Sequence, residues 1–415
     1  MYETLCMACF NEKGNTTLCP HCGFEEQVAE PHIRLPRRMV LNGQYLLGKV
    51  LGKPGGFGIS YLALDLHLNI KLAIKEFFPT HLIGRGADRY QVIPNDPSHA
   101  AVYEEGLQGF LKEARTLARF DHANVVRVRN YFEANGTAYL VMDYYEGFNI
   151  SEWMETNGLF TETAALQLMM PVLDGLREVH RNGILHRDIK PENIYLANGN
   201  RPILLDFGAA RAAVGAKSQN MSVVLTPGFA PMEQYASSSK QGAWTDVYAC
   251  GATLYYMTTG RIPAEAMDRL DEDPLVPPRT LRPELSEAFN RVILKAIALK
   301  PEDRPQTVAA FQDLLHEALG NAVSNASASV APASVENETP LRTLTCPSCG
   351  GLNRVPKGAT LEQIRCGHDS CGALLLPRPS VVLRCPNDTC KALNRLDATK
   401  LPAYAKCAKC RTSLA

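Results

Sequence analysis

HRDIKPENI (186–194), followed by LLDFG (204–208), is the stretch on which the reading of this chain turns. It sets Asp188 two residues before Lys190 and five before Asn193, with a second aspartate, Asp206, a short way on. Carboxylate and amide oxygens are suitable ligands for magnesium. A lysine can neutralise phosphate charge, and a carboxylate nearby can accept or orient a hydroxyl proton. Phosphoryl transfer asks a protein for positioning and charge neutralisation, and these side chains supply both.

Upstream, LGKPGGFGISYLA (51–63) carries Gly52, Gly55, Gly56 and Gly58, a strand–turn–strand whose backbone can approach phosphates without Cβ obstruction. LAIK (72–75) ends on Lys75, 17 residues beyond Gly58. FLKEARTLARFDH (110–122) offers Glu113 nine residues before His122. Taken in order, these motifs resemble the eukaryotic-type protein kinases, and most closely the bacterial (Hanks-type) Ser/Thr members, over roughly residues 45–315. The resemblance implies an α+β, two-lobed fold and an ATP-dependent Ser/Thr protein kinase with protein substrates.

By the same resemblance Lys75 holds the α- and β-phosphates and pairs with Glu113, chosen over Glu104 and Glu105. Asp188 is the catalytic base, Lys190 faces the γ-phosphoryl group, and Asn193 and Asp206 hold Mg2+ (or Mn2+). Met142 guards the back of the adenine pocket, while Asp143 and Tyr145 offer backbone groups to the base. Thr226 contacts Asp188 and Lys190, Glu233 pairs with Arg304, and Asp246 braces the catalytic loop. Arg187 awaits a phosphate on the activation loop, for which Ser222 is chosen over Ser218 and Thr226. Two departures stand out. Pro54 is an extra residue inside the glycine motif, and residues 76–106 exceed an ordinary connection. The competing reading is a catalytically silent scaffold that binds partners, or nucleic acid, through its other modules.

Those modules are read from cysteine spacing. Twelve of the 13 cysteines lie outside the kinase-like region. They form Cys6-x2-Cys9-x9-Cys19-x2-Cys22, Cys346-x2-Cys349-x16-Cys366-x4-Cys371 and Cys385-x4-Cys390-x16-Cys407-x2-Cys410. Two close pairs joined by a connector close a tetrahedral thiolate site, so about three structural Zn2+ ions are expected in zinc ribbons, with His21 and His368 as bystanders. Iron–sulfur binding or a redox switch is the alternative. CPSCGGLNRV and CPNDTCKALNRL form a weak internal repeat. The expected segments are a ribbon at 1–25, a kinase domain at 39–318, a flexible linker at 319–342, and ribbons at 343–379 and 380–415. Partner docking is the preferred role for the ribbons, with fold-back onto the kinase as the other.

Composition narrows the rest. The 415 residues carry 43 basic and 43 acidic side chains, so no whole-molecule field points to nucleic acid or membrane. The N-terminus MYETLCMACFNEKG lacks a basic start and apolar core, and no apolar run reaches the 18 or so residues of a membrane span. A cytoplasmic protein is expected, where cysteines serve metals rather than disulfides. Strands are expected at 45–50, 60–65, 71–75 and 139–142, and helices at 110–120 and 161–180.

Overall fold

The computed structural model describes residues 2–26, 30–197, 201–207, 225–235 and 239–328, with four short strands at 341–345, 352–356, 380–384 and 393–397. It divides into two units, Met1–Ser329 and Val330–Ala415.

The first unit opens with the cysteine module and then builds a sheet from β1 (Val40–Leu41), β2 (Tyr45–Gly55), β3 (Gly58–Asp65) and β4 (Ile70–Phe77). A hairpin of β5 (Ile83–Arg85) and β6 (Val92–Pro94) follows, then helix α1 (Ala100–Leu117) and strands β7 (Val128–Ala134) and β8 (Thr137–Asp143). The sheet order is β1-β2-β3-β4-β8-β7, antiparallel throughout. Apolar alternation along β4 assigns its two faces. Phe77 stacks on Tyr103 and Phe110 of α1, at 5.6 and 5.4 Å between ring centroids. Lys75 shares that face by period two. Glu76 points the other way.

That other face explains the long stretch after Lys75. Residues 78–99 fold back as the β5–β6 hairpin, and Arg85 forms a bidentate pair with Glu76 at 2.7 and 3.1 Å, both side chains having no solvent exposure. Tyr61 and Tyr139 each donate a phenolic hydrogen bond to Glu76 at 3.0 Å, and the guanidinium lies over the Phe78 ring. Arg85 also donates to the carbonyls of Ile33 and Tyr90, tying in the chain before β1. The insertion is therefore an ordered cover on the sheet. Its end feeds straight into α1, which starts ten residues earlier than the helix expected from Phe110. Gly106 and Gly109 hide the first turns from a propensity reading.

The rest of this unit is mainly helical: α2 (Ile150–Asn157), α3 (Glu162–Arg181), α4 (Ala243–Thr259), α5 (Pro278–Leu281), α6 (Glu287–Ala296) and α7 (Val308–Ala328), with β9 (Gly147–Asn149), β10 (Ile194–Ala197) and β11 (Arg201–Leu204) as a small second sheet. Thr161 caps α3 by accepting the Ala164 amide. Of the stripe the period predicts, Leu166, Met169, Leu173, Leu176 and Val179 are buried and Met170 is partly buried. Gly175 lets α3 approach closely, since a Cβ there would meet Val125 at 2.9 Å. Helix α7 runs on to Ala328, past the point where a linker was expected to begin, because an Ala-rich stretch is itself a good helix former.

The second unit contains two antiparallel hairpins, β12 (Leu341–Thr345) with β13 (Leu352–Pro356) and β14 (Ser380–Arg384) with β15 (Leu393–Asp397). Their matching five-residue ladders follow the internal repeat.

Breaking one side of a buried pair leaves the other charge unsatisfied. Arg85→Met should lower the unfolding free energy by about 3–5 kcal/mol, while Glu76→Leu/Arg85→Met recovers much of that loss. Denaturant titration checks this. Unchanged stability of the single variant would contradict it.

Candidate active site and metal centre

Between the sheet and the helical part lies a cavity of about 760 Å³, lined by Leu51, Gly52, Phe57, Gly58, Lys75, Asp188, Lys190, Asn193, Asp206 and Thr226 among others. Its size suits a nucleotide-sized ligand.

The floor is built by the turn after α3. Asn193 donates through one amide nitrogen to the Asp188 carbonyl at 2.7 Å and to its carboxylate at 2.8 Å. Thr226 donates to the other carboxylate oxygen at 3.2 Å and accepts from Lys190 at 3.0 Å. Lys190 stands 3.4 Å from Asp188. Asp188 is thus held in one orientation by three neighbours. With the Asn193 nitrogen committed, its amide oxygen is the atom left to act as a metal ligand, the donor type magnesium prefers.

Behind the loop sits Asp246, fully buried. It accepts the amides of His186 and Arg187 at 2.8 and 2.7 Å and the His180 ring at 2.6 Å. The His186 ring accepts the Asp188 amide at Nδ1 and donates from Nε2 to the Leu205 carbonyl at 2.8 Å. It also packs on Phe207. Arg187 and Asp206 both hold positive φ, 66° and 52°. Such strain in a non-glycine residue persists only where the surroundings impose it. Further down, Glu233 and Arg304 form the expected buried pair at 2.7 and 3.2 Å.

On the roof, Lys75 donates to Asp206 at 3.0 Å, joining the sheet to the LDFG stretch. Glu113 is buried on α1, on the side of the sheet that carries Lys75. The extra residue at Pro54 is absorbed as a bulge. The register steps from Leu51 opposite Ser60 to Gly55 opposite Gly58, leaving Gly56 and Phe57 as the turn. The tip is anchored, since Phe78 and Thr80 donate to the Phe57 and Gly56 carbonyls. At Gly58 a Cβ would meet the Glu76 carbonyl at 2.7 Å, so glycine is required there. Gly52 needs its freedom for φ +63°.

Met142 is buried at the end of β8, followed by Asp143 and Tyr145. The Asp143 amide already donates to the Arg127 carbonyl, and its carboxylate is held by Arg129. Among the residues read from sequence, Ser218 and Ser222 lie outside the described residues, as do Cys346, Cys349, Cys366, Cys371, Cys385, Cys390, Cys407, Cys410 and His368.

The N-terminal cysteines converge. Sγ atoms of Cys6, Cys9, Cys19 and Cys22 all lie within 4.8 Å of one another, with Cys6–Cys22 at 3.6 Å and Cys9–Cys19 at 3.7 Å. A tetrahedral ion with Zn–S of about 2.3 Å needs sulfurs roughly 3.8 Å apart, so the set fits zinc. Burial works to raise the Cys19 thiol, yet the His21 and Cys22 amides and the neighbouring thiols bring it down to about 6. Cys22 is pushed up to about 12 by burial and by its thiol neighbours. Four thiolates need a cation to coexist here. His21 turns away to the Glu12 carbonyl. This is the one four-cysteine cluster among the described residues, where three were expected from the full sequence. No helix among the described residues is long and apolar enough to cross a membrane.

Comparison with known proteins agrees with this geometry. The family profile described as "Protein kinase domain" matches residues 45–317. The chain is 31% identical over 319 residues to serine/threonine-protein kinase Pkn1 of Myxococcus xanthus, covering 74% of this chain and 42% of that protein. It is 33% identical over 283 residues to serine/threonine-protein kinase PknB of Mycobacterium tuberculosis, covering 65% and 42%. The chain therefore spans less than half the length of these curated relatives. A solved structure, "PpkA-294 apo form", superposes with a TM-score of 0.62 at 37% identity, covering 68% of this chain and 99% of that one.

Burial holds the His186 imidazole below its ordinary value, so the folded state keeps it neutral. The unfolded chain takes up that proton below about pH 6.5. Stability is complete above that pH and falls as pH drops through it, by up to about 1.4 kcal/mol per pH unit for one group. Unfolding midpoints between about pH 7.5 and 5.5 should fall less steeply in His186→Asn than in wild type. Parallel profiles would contradict the assignment.

Proposed function

This chain belongs to the protein kinase family, and we propose that it is an ATP-dependent Ser/Thr protein kinase carrying zinc-held modules. The observation that carries the activity is the mutual orientation of Asp188, Lys190, Asn193 and Thr226 beneath a glycine-rich roof bearing Lys75. A bound magnesium would supply charge neutralisation at the phosphates. Asn193 Oδ1 and Asp206 are the side chains that would hold it. Lys75, now paired with Asp206, is the cation available to the α- and β-phosphates, with Glu113 as its helix partner.

Asp188 orients the acceptor hydroxyl and receives its proton. Lys190 offers charge to the γ-phosphoryl group, and Thr226 links Lys190 to Asp188 by bonding to both. That Lys–Thr arrangement supports Ser/Thr acceptors. Met142, the Asp143 and Tyr145 backbone, and Gly52, Gly55, Gly56 and Gly58 form the adenine and phosphate subsites in this reading.

Arg187 has its Nε buried without a hydrogen-bond partner among the described residues, which supports a phosphate-docking role with Ser222 as the modified residue. The four N-terminal cysteines hold one structural zinc, and the eight C-terminal cysteines two more in zinc ribbons that dock partners. A cytoplasmic location goes with this thiol chemistry.

Incubation of the full chain with labelled ATP, magnesium and a generic protein acceptor tests the activity. Phosphoserine or phosphothreonine should form, and Asp188→Asn should lower the rate by about 10²–10⁴. Absence of transfer by wild type, or undiminished transfer by the variant, contradicts the reading. Native mass spectrometry should show three zinc ions per chain, and two in Cys6→Ser/Cys9→Ser; a wild-type chain without zinc refutes the metal assignment.

A further inference from the structure

The two halves of the N-terminal cysteine module are built alike, with one exception. In the second knuckle, the Cys19 amide donates to the Phe24 carbonyl and Gly23, at φ +69°, donates to the Cys19 carbonyl. In the first, the Cys6 amide donates to the Asn11 carbonyl and residue 10 donates to the Cys6 carbonyl at 2.8 Å. Here the residue in the glycine position is phenylalanine, at φ 58°. A bulky side chain in the left-handed region is a genuine outlier, costing on the order of 1–3 kcal/mol. Folding the knuckle alone would be easier with glycine. Something outside the knuckle must favour the ring.

The ring's surroundings supply the reason. Phe10 and Met7 form a separate buried cluster with Leu46, Leu62 and Leu64 of β2 and β3, against which Leu51 and Tyr144 also pack. The Met7 carbonyl accepts the Lys49 amide at 2.7 Å, satisfying the edge of β2. The approach is so close that a Cβ on Gly48 would meet the Met7 carbonyl at 2.3 Å and the Phe10 ring at 2.9 Å. Arg38 fastens the module from the other side, donating to the Tyr2 and Leu5 carbonyls and pairing with Glu26. Leu51 lines the cleft immediately before Gly52. Tyr144 sits between Asp143 and Tyr145. The knuckle thus touches β2, the strand that leads into the glycine-rich turn, and Tyr144 of the segment that leaves β8 packs against the same cluster.

We infer that the N-terminal four-cysteine module is a metal-held support of the nucleotide site, with Phe10 and Met7 as positioning residues for the glycine-rich strand. This rests on the protein-kinase reading of the cleft. Cys6 and Cys9 bracket Met7 and abut Phe10, so an ion bound by the four sulfurs fixes the knuckle, and the knuckle fixes the roof. Removal of the metal frees both. Nucleotide affinity, rather than the chemistry at Asp188, is the property coupled to metal occupancy.

Phe10→Gly separates the support role from a purely structural one, because glycine suits the knuckle better than phenylalanine does. The full-length variant should keep the wild-type zinc content yet bind a fluorescent ATP analogue about tenfold more weakly, a difference of about 1.4 kcal/mol. Its KM for ATP should rise by a similar factor, with kcat at saturating ATP within about twofold of wild type. Cys6→Ser/Cys9→Ser, which removes the ion, should show the same loss of nucleotide affinity. Direct binding is read without phosphoryl transfer, so a chain that binds nucleotide normally but transfers nothing would refute the enzymatic reading and not this one. Unchanged nucleotide affinity in Phe10→Gly, or equal loss in kcat and kcat/KM, overturns the inference.

Discussion

The Asp246 carboxylate has no solvent exposure, and it accepts two backbone amides from the catalytic loop and the His180 ring. An ionised carboxylate so placed would be costly without those donors, and the same donors would be misplaced without it. Its charge therefore forces His186 and Arg187 into one backbone path, including the positive φ at Arg187. From that path Asp188 emerges into the cleft. Every later contact, from the Asn193 amide to the Thr226 hydroxyl, acts on a residue whose backbone is already fixed from behind. Helix α4 carries Asp246 among buried neighbours, so the rigidity of the helical lobe reaches the site through this side chain.

The upper part of the cleft is organised differently. Its sheet is covered on one face by α1 and on the other by the hairpin that follows Lys75, and the Glu76–Arg85 pair joins that hairpin to the strand bearing the lysine. Beyond its two-residue pairing with β1, β2 receives the cysteine module. A lobe that must hold a nucleotide roof in place thus draws on packing from three added segments: the arm before β1, the hairpin and the metal site. Short strands with few helices bury little apolar surface, and added cover offsets that.

Much of the site was legible because its chemistry is local in sequence. Asp188, Lys190 and Asn193 lie within six residues, and their roles depend on residue type at that spacing. Strand and helix positions followed from apolar period at β3, β4, β8 and α3. What escaped was non-local. Glu76 carries no signal in the sequence, because its partner Arg85 is brought back only by a hairpin whose strands are three residues each. The start of α1 was hidden by Gly106 and Gly109. Docking of the cysteine module left one trace, Phe10 in the position that Gly23 occupies in the other knuckle, and it gains meaning only beside Gly48. Pro54 appeared to disturb the glycine motif. A bulge in β2 accommodates it, since a strand can take an extra residue without losing the turn beyond.

Calorimetric titration of the metal-replete chain with ATP, with and without magnesium, addresses the central claim most directly: that Lys75, Asn193 and Asp206 form one nucleotide–magnesium site. The account predicts a single site whose affinity falls when magnesium is withheld. Absence of saturable ATP binding to folded protein would contradict it.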